Sequence, residues 1–276
     1  MRKAAMSSCG IKGFSMGVFE ELKASGIEAV EVSLCETVSA MAFDWKNIRE
    51  ISEKTGVELW SAHVPFYPFE INNIASLDKA VCKKTIETVG EFVKRAADVG
   101  VKAAVLHPSG EPIEDNDRHT AIKHAKECLY ELAKICKSAG IVMAVEDLPR
   151  TCLGRDSKEM LDLISVDDSL RVCFDTNHLL KEEIKDFMKA VGDKIYTLHV
   201  SDYDRIDERH WLPGEGVIDW VEFMDLLDEI GYRNPFMYEI LYSNTKDITR
   251  ERELTPADFY RNCKELHNRE KLTIIK

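Results

Sequence analysis

One short pattern recurs along this chain of 276 residues: a helical stretch ends at a glycine, and an apolar run begins next to it. Glycine at such a position can take the left-handed backbone conformation that caps a helix and lets the chain reverse. Repeated helix-to-strand units of this kind predict a parallel sheet covered by helices. The pattern occurs at Gly26-Ile27, Gly56-Val57, Gly100-Val101, Gly140-Ile141 and Gly231-Tyr232.

Eight apolar runs fit the strands of such a sheet, and several are apolar on both faces, as expected of parallel strands buried against helices. Apolar spacing of three and four residues predicts the helices between them. Eight units favour one closed (β/α)8 barrel, the TIM-barrel fold of the α/β class, with a doubly wound sheet as the alternative. The predicted strands are Lys3–Met6, Glu28–Leu34, Val57–His63, Val101–His107, Ile141–Glu146, Leu170–Asp175, Ile195–His199 and Pro235–Ile240. The clearest predicted helices are Val81–Ala97, Thr120–Ser138, Trp220–Ile230 and Pro256–Asn268.

No Pro/Ser-rich linker divides the chain, so a single domain over residues 1–276 is expected. The amino-terminal residues contain no apolar run long enough for a signal peptide, and no later stretch approaches a membrane span, so the cytoplasm is the expected location. The eight cysteines are scattered without a CxxC pair, which is typical of reduced and mostly buried thiols.

The net charge of −12 and the pI near 5.2 bear on the choice of partner. Proteins that bind nucleic acid or an anionic membrane usually present a basic face, because neutralising phosphates supplies much of the affinity. The overall charge therefore weighs against a nucleic-acid partner and against a membrane partner.

Metal-ligating residue types end most of the predicted strands. Strands five to eight end at Glu146, Asp175, His199 and Glu239, and the carboxyl ends of barrel strands converge on one mouth. Three carboxylates in a low-dielectric mouth repel one another, and a bound dication is the simplest compensation. The alternative is a metal-free network, since any single carboxylate can cap a helix or pair with an arginine.

Strands three and four end at His63 and His107. Each of these histidines is either a satisfied side chain near the top of the core or a ligand- or substrate-binding residue. Glu31, near the end of the second strand, either orients a substrate or is structural. Glu215 is expected to belong to a turn.

Several segments around these positions resemble the xylose isomerase-like TIM barrels, over nearly the whole chain and in the right order. That superfamily includes sugar and sugar-phosphate isomerases and epimerases, inosose and dehydroshikimate dehydratases, and apurinic-site endonucleases of the endonuclease IV type. The motifs are specific for the superfamily and do not name a substrate. The segments are Val145-Glu146-Asp147-Leu148-Pro149, Phe174-Asp175-Thr176-Asn177-His178, Leu198-His199-Val200-Ser201-Asp202, Leu212-Pro213-Gly214-Glu215-Gly216 and Tyr238-Glu239.

The resemblance implies that Glu146, Asp175, His199 and Glu239 hold a metal ion, and that Glu146 and Glu239 also act as catalytic acid and base. A metal that binds a sugar's carbonyl and adjacent hydroxyl oxygens acidifies the neighbouring carbon-bound proton, which a carboxylate can remove or return. The resemblance also implies that His178 binds substrate oxygens.

The endonuclease branch uses further ligands to hold three zinc ions, and this chain has His63, His107, His178 and His210 at matching places. Glu208 departs from the aspartate of that branch, and its longer side chain puts the third ion in doubt.

The charge of the predicted mouth loops favours a sugar over DNA. Residues 64–78 contain no Lys or Arg, and the loop after strand four carries Glu111, Glu114, Asp115 and Asp117. A duplex would need positive charge there, whereas a small sugar would not. Aromatic and basic side chains, among them Tyr67 and Arg205, are expected to surround the sugar. The alternative for the loop after strand seven, residues 201–216, is a solvated loop with internal ion pairs. The predicted substrate-binding residues are His63, Phe66, His107, His178, Arg209, His210 and Trp211.

These observations predict a metal-dependent sugar or sugar-phosphate isomerase or epimerase that moves a proton beside a carbonyl. One Mn²⁺, Mg²⁺ or Co²⁺ ion suits three carboxylates and an imidazole, with Zn²⁺, up to three ions, if the extra histidines participate. The alternatives, in order, are a dehydratase of a cyclic polyol or keto acid, an endonuclease IV-like enzyme and a non-catalytic sugar-binding barrel. A homodimer or homotetramer is common among the proteins that the chain resembles.

Overall fold

Eight parallel strands form a barrel in the computed structural model, which describes residues 1–243 and 247–275. The strands are β1 (Ala4–Ser7), β2 (Ala29–Ser33), β3 (Glu58–His63), β4 (Ala103–Leu106), β5 (Val142–Glu146), β6 (Arg171–Asp175), β7 (Ile195–His199) and β8 (Phe236–Tyr238). Consecutive strands pair from β1 to β7, and β1 also pairs with β8. Val200, just after β7, closes the ring: its N–H donates to the Met237 carbonyl (2.8 Å), and its carbonyl accepts from the Glu239 N–H (3.1 Å). The predicted TIM barrel is confirmed, and the doubly wound alternative is excluded.

Helices separate the strands and cover the outside of the barrel. They are α1 (Met16–Ala24), α2 (Thr37–Met41), α3 (Trp45–Thr55), α4 (Lys79–Asp98), α5 (Arg118–Ala139), α6 (Ser157–Ile164), α7 (Ile184–Val191), α8 (Trp220–Glu229) and α9 (Pro256–Asn268), with a 3₁₀ turn at Gly192–Lys194. The four helices that the sequence predicted most clearly are all present, with ends within two residues of those expected. Within residues 1–243 and 247–275, we find no helix with the length and apolar character that a membrane crossing requires.

The ends of the helices follow from local sequence. Gly56 and Gly140 cap α3 and α5 at φ of 70° and 72°, where a Cβ atom would strain the backbone. At the other end, aspartate side chains accept hydrogen bonds from the first turn, as Asp44 does in α3 and Asp219 in α8. None of the three strand-end carboxylates in the predicted metal site is an N-cap of a described helix. The capping alternative for those residues is therefore excluded.

Bulky side chains fill the amino end of the barrel interior. Trp60 lies at a register shift between β2 and β3, stacks on Tyr196 at 5.6 Å between ring centroids, and donates its Nε1 proton to Thr197 Oγ1 (3.1 Å). Ala5 and Ala29 are fully buried beside it, because small residues leave room for the indole. The carboxyl end of the interior is polar instead, and it contains the side chains that carry the chemistry.

The loop after β7 is folded around Asp202. This carboxylate accepts hydrogen bonds from the Gly214 N–H (2.8 Å), the Ile218 N–H (3.2 Å) and the Trp220 Nε1 proton (2.8 Å). A fully buried ion pair, Arg250 with Glu215 (2.7 Å), connects this loop to the segment after β8. Glu215 Oε2 also accepts the Leu212 N–H, which places it in the turn as expected. These contacts position Glu208 and His210 at the mouth.

Gly216→Ala should unfold more easily than the unmodified chain, by about 1–3 kcal/mol in the free energy of unfolding. A Cβ atom there would collide with the Tyr203 carbonyl oxygen and with Asp202 Oδ1. Urea denaturation followed by circular dichroism measures the effect. Gly17→Ala in α1, where a Cβ meets nothing within 4 Å, is the control and should be neutral or slightly stabilising. Equal stability of the two variants would show that the Asp202 turn tolerates a side chain.

Candidate metal centre

The strand ends bring the four predicted metal ligands together. Glu146, Asp175 and His199 are the last residues of β5, β6 and β7, and Glu239 directly follows β8. One donor atom from each lies within 4.8 Å of the others. His199 Nδ1 lies 2.8 Å from Glu146 Oε1, 3.3 Å from Glu239 Oε2 and 3.9 Å from Asp175 Oδ2. Nothing in the sequence spacing alone required this convergence, because it depends on the closure of the barrel.

The electrostatics of this cluster fit a divalent cation. Asp175 Oδ2 is buried and has no hydrogen-bond partner among the described residues. Burial raises the pKa of Asp175 well above its ordinary value, and the carboxylates of Glu239 and Glu146 contribute to the increase. Burial would also raise the pKa of Glu146, but the neighbouring His199 and His107 hold it well below its ordinary value. In residues 1–243 and 247–275, no lysine or arginine forms an ion pair with Glu146, Asp175 or Glu239. The charged partners of these carboxylates are histidines.

A buried carboxylate behind the cluster orients His199. Glu31 Oε1 lies 3.0 Å from His199 Nε2, and the two oxygens of Glu31 accept hydrogen bonds from Ser7 Oγ (3.1 Å) and Ser61 Oγ (2.8 Å). With its Nε2 proton held by Glu31, the imidazole can present the bare Nδ1 to the cluster. Metal-ligating histidines are commonly held by a carboxylate in this way. The sequence left open whether Glu31 orients a substrate or is structural. Its described contacts are hydrogen bonds to two serines and to His199, a predicted metal ligand.

Glu31→Gln is expected to weaken the binding of Mn²⁺ by about 10–100-fold, because the amide lacks the charge that fixes and polarises the imidazole. Calorimetric titration of chelator-treated protein measures this affinity. Glu36→Gln, an exposed change five residues further on, should leave it unchanged. Equal Mn²⁺ affinity of the Glu31 variant and the control would contradict the orienting role.

A second group of donors shares Glu146. His63 Nε2 lies 3.1 Å and His107 Nε2 3.2 Å from Glu146 Oε2, so one oxygen of this carboxylate faces the two histidines while the other faces His199. His63 Nδ1 lies 2.9 Å from the Val64 carbonyl oxygen and can donate to it. Burial lowers the pKa of His107, which favours the neutral imidazole that metals bind.

The remaining candidate ligands lie further out in the mouth. His178 Nε2 lies 2.9 Å from Glu208 Oε1, its Nδ1 lies 2.7 Å from the Asp147 carbonyl oxygen, and His210 Nδ1 lies 3.0 Å from the Glu239 carbonyl oxygen. Within the described parts of the chain, the donor atoms of His178, Glu208 and His210 do not form a group that lies within 4.8 Å. The arrangement therefore offers one complete set of four donors and a partial second set.

A cavity of about 280 Å³ opens above these residues. Five of the seven predicted substrate-binding residues line it: His63, Phe66, His107, His178 and His210. The Phe66 ring stacks on His107 with 4.2 Å between ring centroids and forms an apolar wall. Arg209 and Trp211 are not among the lining residues; Arg209 Nε donates to Asp204 (2.9 Å), and its guanidinium lies 6.0 Å from the Trp211 ring. A substrate contact by these two residues stays a prediction.

Arg150 is a charged residue of the mouth that the sequence analysis did not single out. Its guanidinium donates to Glu111 Oε1 (3.0 Å), Asp207 Oδ1 (2.7 Å) and Glu208 Oε2 (3.0 Å), and its backbone has a φ of 53°. Burial would raise the pKa of Glu208, but the hydrogen bond with His178 and the nearby Arg150 lower it to about 2. The sequence did place Arg150 four residues after Glu146, in the loop that follows a strand end, and that position could have indicated a residue of the mouth.

The chain is thus a closed parallel barrel with acidic and histidine side chains at its strand ends. Residues 19–261 match the family model of that description, and the chain belongs to this family. The expected resemblance is confirmed.

Relatives in the family differ in activity. A D-psicose 3-epimerase of Enterocloster bolteae is 22% identical over 238 residues, covering 80% of this chain and 74% of that protein. A probable endonuclease 4 of Staphylococcus saprophyticus is 28% identical over 176 residues, 57% of this chain, and the match spans 59% of that relative's length. A crystal structure of a D-tagatose 3-epimerase-like protein superposes with a TM-score of 0.80 at 24% identity, over 97% of this chain and 98% of the other, and shows the shared fold.

Proposed function

We propose that this protein is a divalent-metal-dependent sugar isomerase or epimerase that transfers a proton at a carbon next to a carbonyl. The observation that carries the proposal is the meeting of Glu146 and Glu239 with Asp175 and His199 at one point below a small cavity. Homology to sugar epimerases supports the reaction class. Asp175 Oδ2, which has no hydrogen-bond partner among the residues that the structure describes, supports the binding of a metal ion.

A divalent ion held by these four side chains would supply the polarisation of the sugar carbonyl that makes the adjacent carbon-bound proton acidic. Glu146 and Glu239 come from strands on different sides of the barrel, with β6 and β7 between them. Carboxylates that approach a substrate from different sides can remove a proton on one face and return it on the other. Epimerisation requires that pair of transfers.

The cavity suits a monosaccharide in size and in lining. Its volume of about 280 Å³ lies near the lower end of the roughly 300–1,000 Å³ that small-molecule sites occupy. His178 and His210 offer polar groups for sugar hydroxyls, and Phe66 provides the apolar surface that excludes water beside the reacting carbon. Arg150, in the loop after β5, pairs with residues of the loops after β4 and β7 and lines the cavity.

In D₂O with Mn²⁺, the protein should exchange a carbon-bound proton of at least one ketose in a panel of D-fructose, D-psicose, D-tagatose and D-ribulose. Glu239→Gln should lower the exchange rate by about 10²–10⁴-fold, because the amide cannot accept the proton. Proton NMR measures the exchange. Glu229→Gln, an exposed change at the end of α8, is the control and should exchange at the unmodified rate.

Exchange that persists in the Glu239 variant would remove this residue from the proposed acid–base pair. Product analysis on the same samples separates an epimerase from the dehydratase alternative, because a dehydratase also releases the hydroxyl as water. Absence of exchange with every sugar, together with cleavage of an abasic duplex, would overturn the proposed function.

One observation favours a second candidate, an endonuclease IV-like enzyme with a zinc cluster. Glu146 Oε2 lies between His63 and His107, where a bridging carboxylate could serve a second ion. The mouth weighs against this candidate, because Glu111, Glu114 and Asp115 follow β4 where a phosphate backbone would approach. The His178, Glu208 and His210 donors also lack the close grouping of the first set.

Metal analysis of the purified protein separates the two candidates. We expect about one divalent ion per chain after dialysis against Mn²⁺, and no cleavage of a duplex that contains an abasic site. His107→Ala should leave the ion count unchanged, because this residue is not part of the four-donor set. Three ions per chain together with duplex cleavage would favour the endonuclease instead.

A further inference from the structure

The charges around the cavity distinguish two classes of sugar substrate. Among the described residues that line the cavity, Arg150 is the only arginine, and there is no lysine. An enzyme that binds a phosphorylated sugar needs a cationic or N–H-rich subsite for the phosphate, which carries a charge of about −1.5 to −2 at pH 7. Arg150 is therefore the described cationic side chain that could provide such a subsite.

The guanidinium of Arg150 is already occupied. Its Nε and Nη2 atoms both donate to the carboxylate of Glu111, at 3.0 Å from Oε1 and 3.0 Å from Oε2. Its Nη1 atom donates to Asp207 Oδ1 (2.7 Å) and Glu208 Oε2 (3.0 Å). A phosphate would have to displace a bidentate carboxylate and would then lie beside the others. Bidentate arginine–carboxylate pairs are among the stronger hydrogen-bonded contacts in proteins.

The other arginines expected to close over the substrate are also engaged. Arg205 Nη2 donates to Glu183 Oε2 at 2.6 Å, and Arg209 pairs with Asp204 at 2.9 Å and with Asp247 at 3.3 Å. Neither lines the cavity. These ion pairs engage the positive charge of the loop after β7 with carboxylates outside the cavity lining.

The carboxylates of the site outnumber the positive charges of Arg150 and of a divalent ion. Three carboxylates, Glu146, Asp175 and Glu239, would face the two positive charges of a divalent ion held by this group. Three more, Glu111, Asp207 and Glu208, face the single charge of Arg150. A substrate phosphate would be repelled in a partly buried site rich in carboxylates, whereas a neutral sugar would not.

We infer that the substrate of this site is an unphosphorylated sugar and that Arg150 fastens the mouth loops rather than binding a substrate phosphate. The inference rests on the function proposed above and narrows it to one substrate class. Arg150 joins the loop after β5 to the loops after β4 and β7, through Glu111 and through Asp207 and Glu208. Its position at the rim, with its side chain 37% exposed, suits a fastening role.

Proton exchange in D₂O with Mn²⁺ tests the inference when each free ketose is paired with its phosphate ester: D-fructose with its 6-phosphate, D-tagatose with its 6-phosphate and D-ribulose with its 5-phosphate. We expect kcat/KM for the preferred free sugar to exceed that for its ester by at least about tenfold. A preference for the ester would overturn the inference and leave the proposed function intact. Absence of exchange with both members of every pair would overturn the proposed function and the inference with it.

Arg150→Ala distinguishes the two roles of this residue. If Arg150 only fastens loops, the variant should change kcat/KM for the free sugar and for its ester by similar factors. A loss of about tenfold or more that is confined to the ester would identify Arg150 as a phosphate ligand and overturn the inference.

Glu111→Gln provides the converse test, because it releases one edge of the guanidinium. The ratio of kcat/KM for the ester to that for the free sugar should rise by about threefold or more. Glu114→Gln makes the same change of charge in the same loop, at an exposed side chain with no ion pair among the described residues, and should leave the ratio unchanged. An equal response of the two variants would show that Glu111 does not withhold Arg150 from a substrate anion.

Discussion

Glu146, Asp175 and Glu239 bring three carboxylates to one point inside the barrel, where little water can separate their charges. Such a group is stable only beside compensating positive charge or hydrogen-bond donors. Histidines from β3, β7 and the segment after β4 surround Glu146, and a divalent cation would complete the compensation. Glu31 serves the same requirement: with hydrogen bonds from two serine hydroxyls, it holds the imidazole of His199, which faces the three carboxylates.

The fold and the convergence of four candidate donors were predictable from the sequence because both depend on patterns that are local in the chain. The apolar runs, the glycines at helix ends and the polar residue that ends each strand are each visible within a few positions. Once eight such units close into a barrel, the strand ends must meet at one rim. Convergence of Glu146, Asp175, His199 and Glu239 therefore required only that the barrel close.

Hydrogen bonds and ion pairs between residues far apart in the chain could not be predicted from the sequence. Glu31 and His199 are separated by 168 positions, and no periodicity links them. The partners of Arg150 come from two different loops, and loop conformation depends on tertiary contacts such as those of Asp202 rather than on propensity. The role expected for Arg209 depended on the same loop, in which the side chain pairs with Asp204 instead of lining the cavity. Residue types indicated which side chains could bind a metal ion or a sugar, but not which charged side chains form ion pairs with one another.

Trp60 and Tyr196 fill the barrel at its amino end, and the cavity formed by the described residues lies at the opposite, carboxyl end of the strands. A substrate that enters at this end and a product that leaves there use the same opening, so a bound product would block the next substrate molecule. Three loops that border this opening are joined to one another by the ion pairs of Arg150. Turnover by such an enzyme would be sensitive to changes at the rim even where no rim residue touches the reacting carbon.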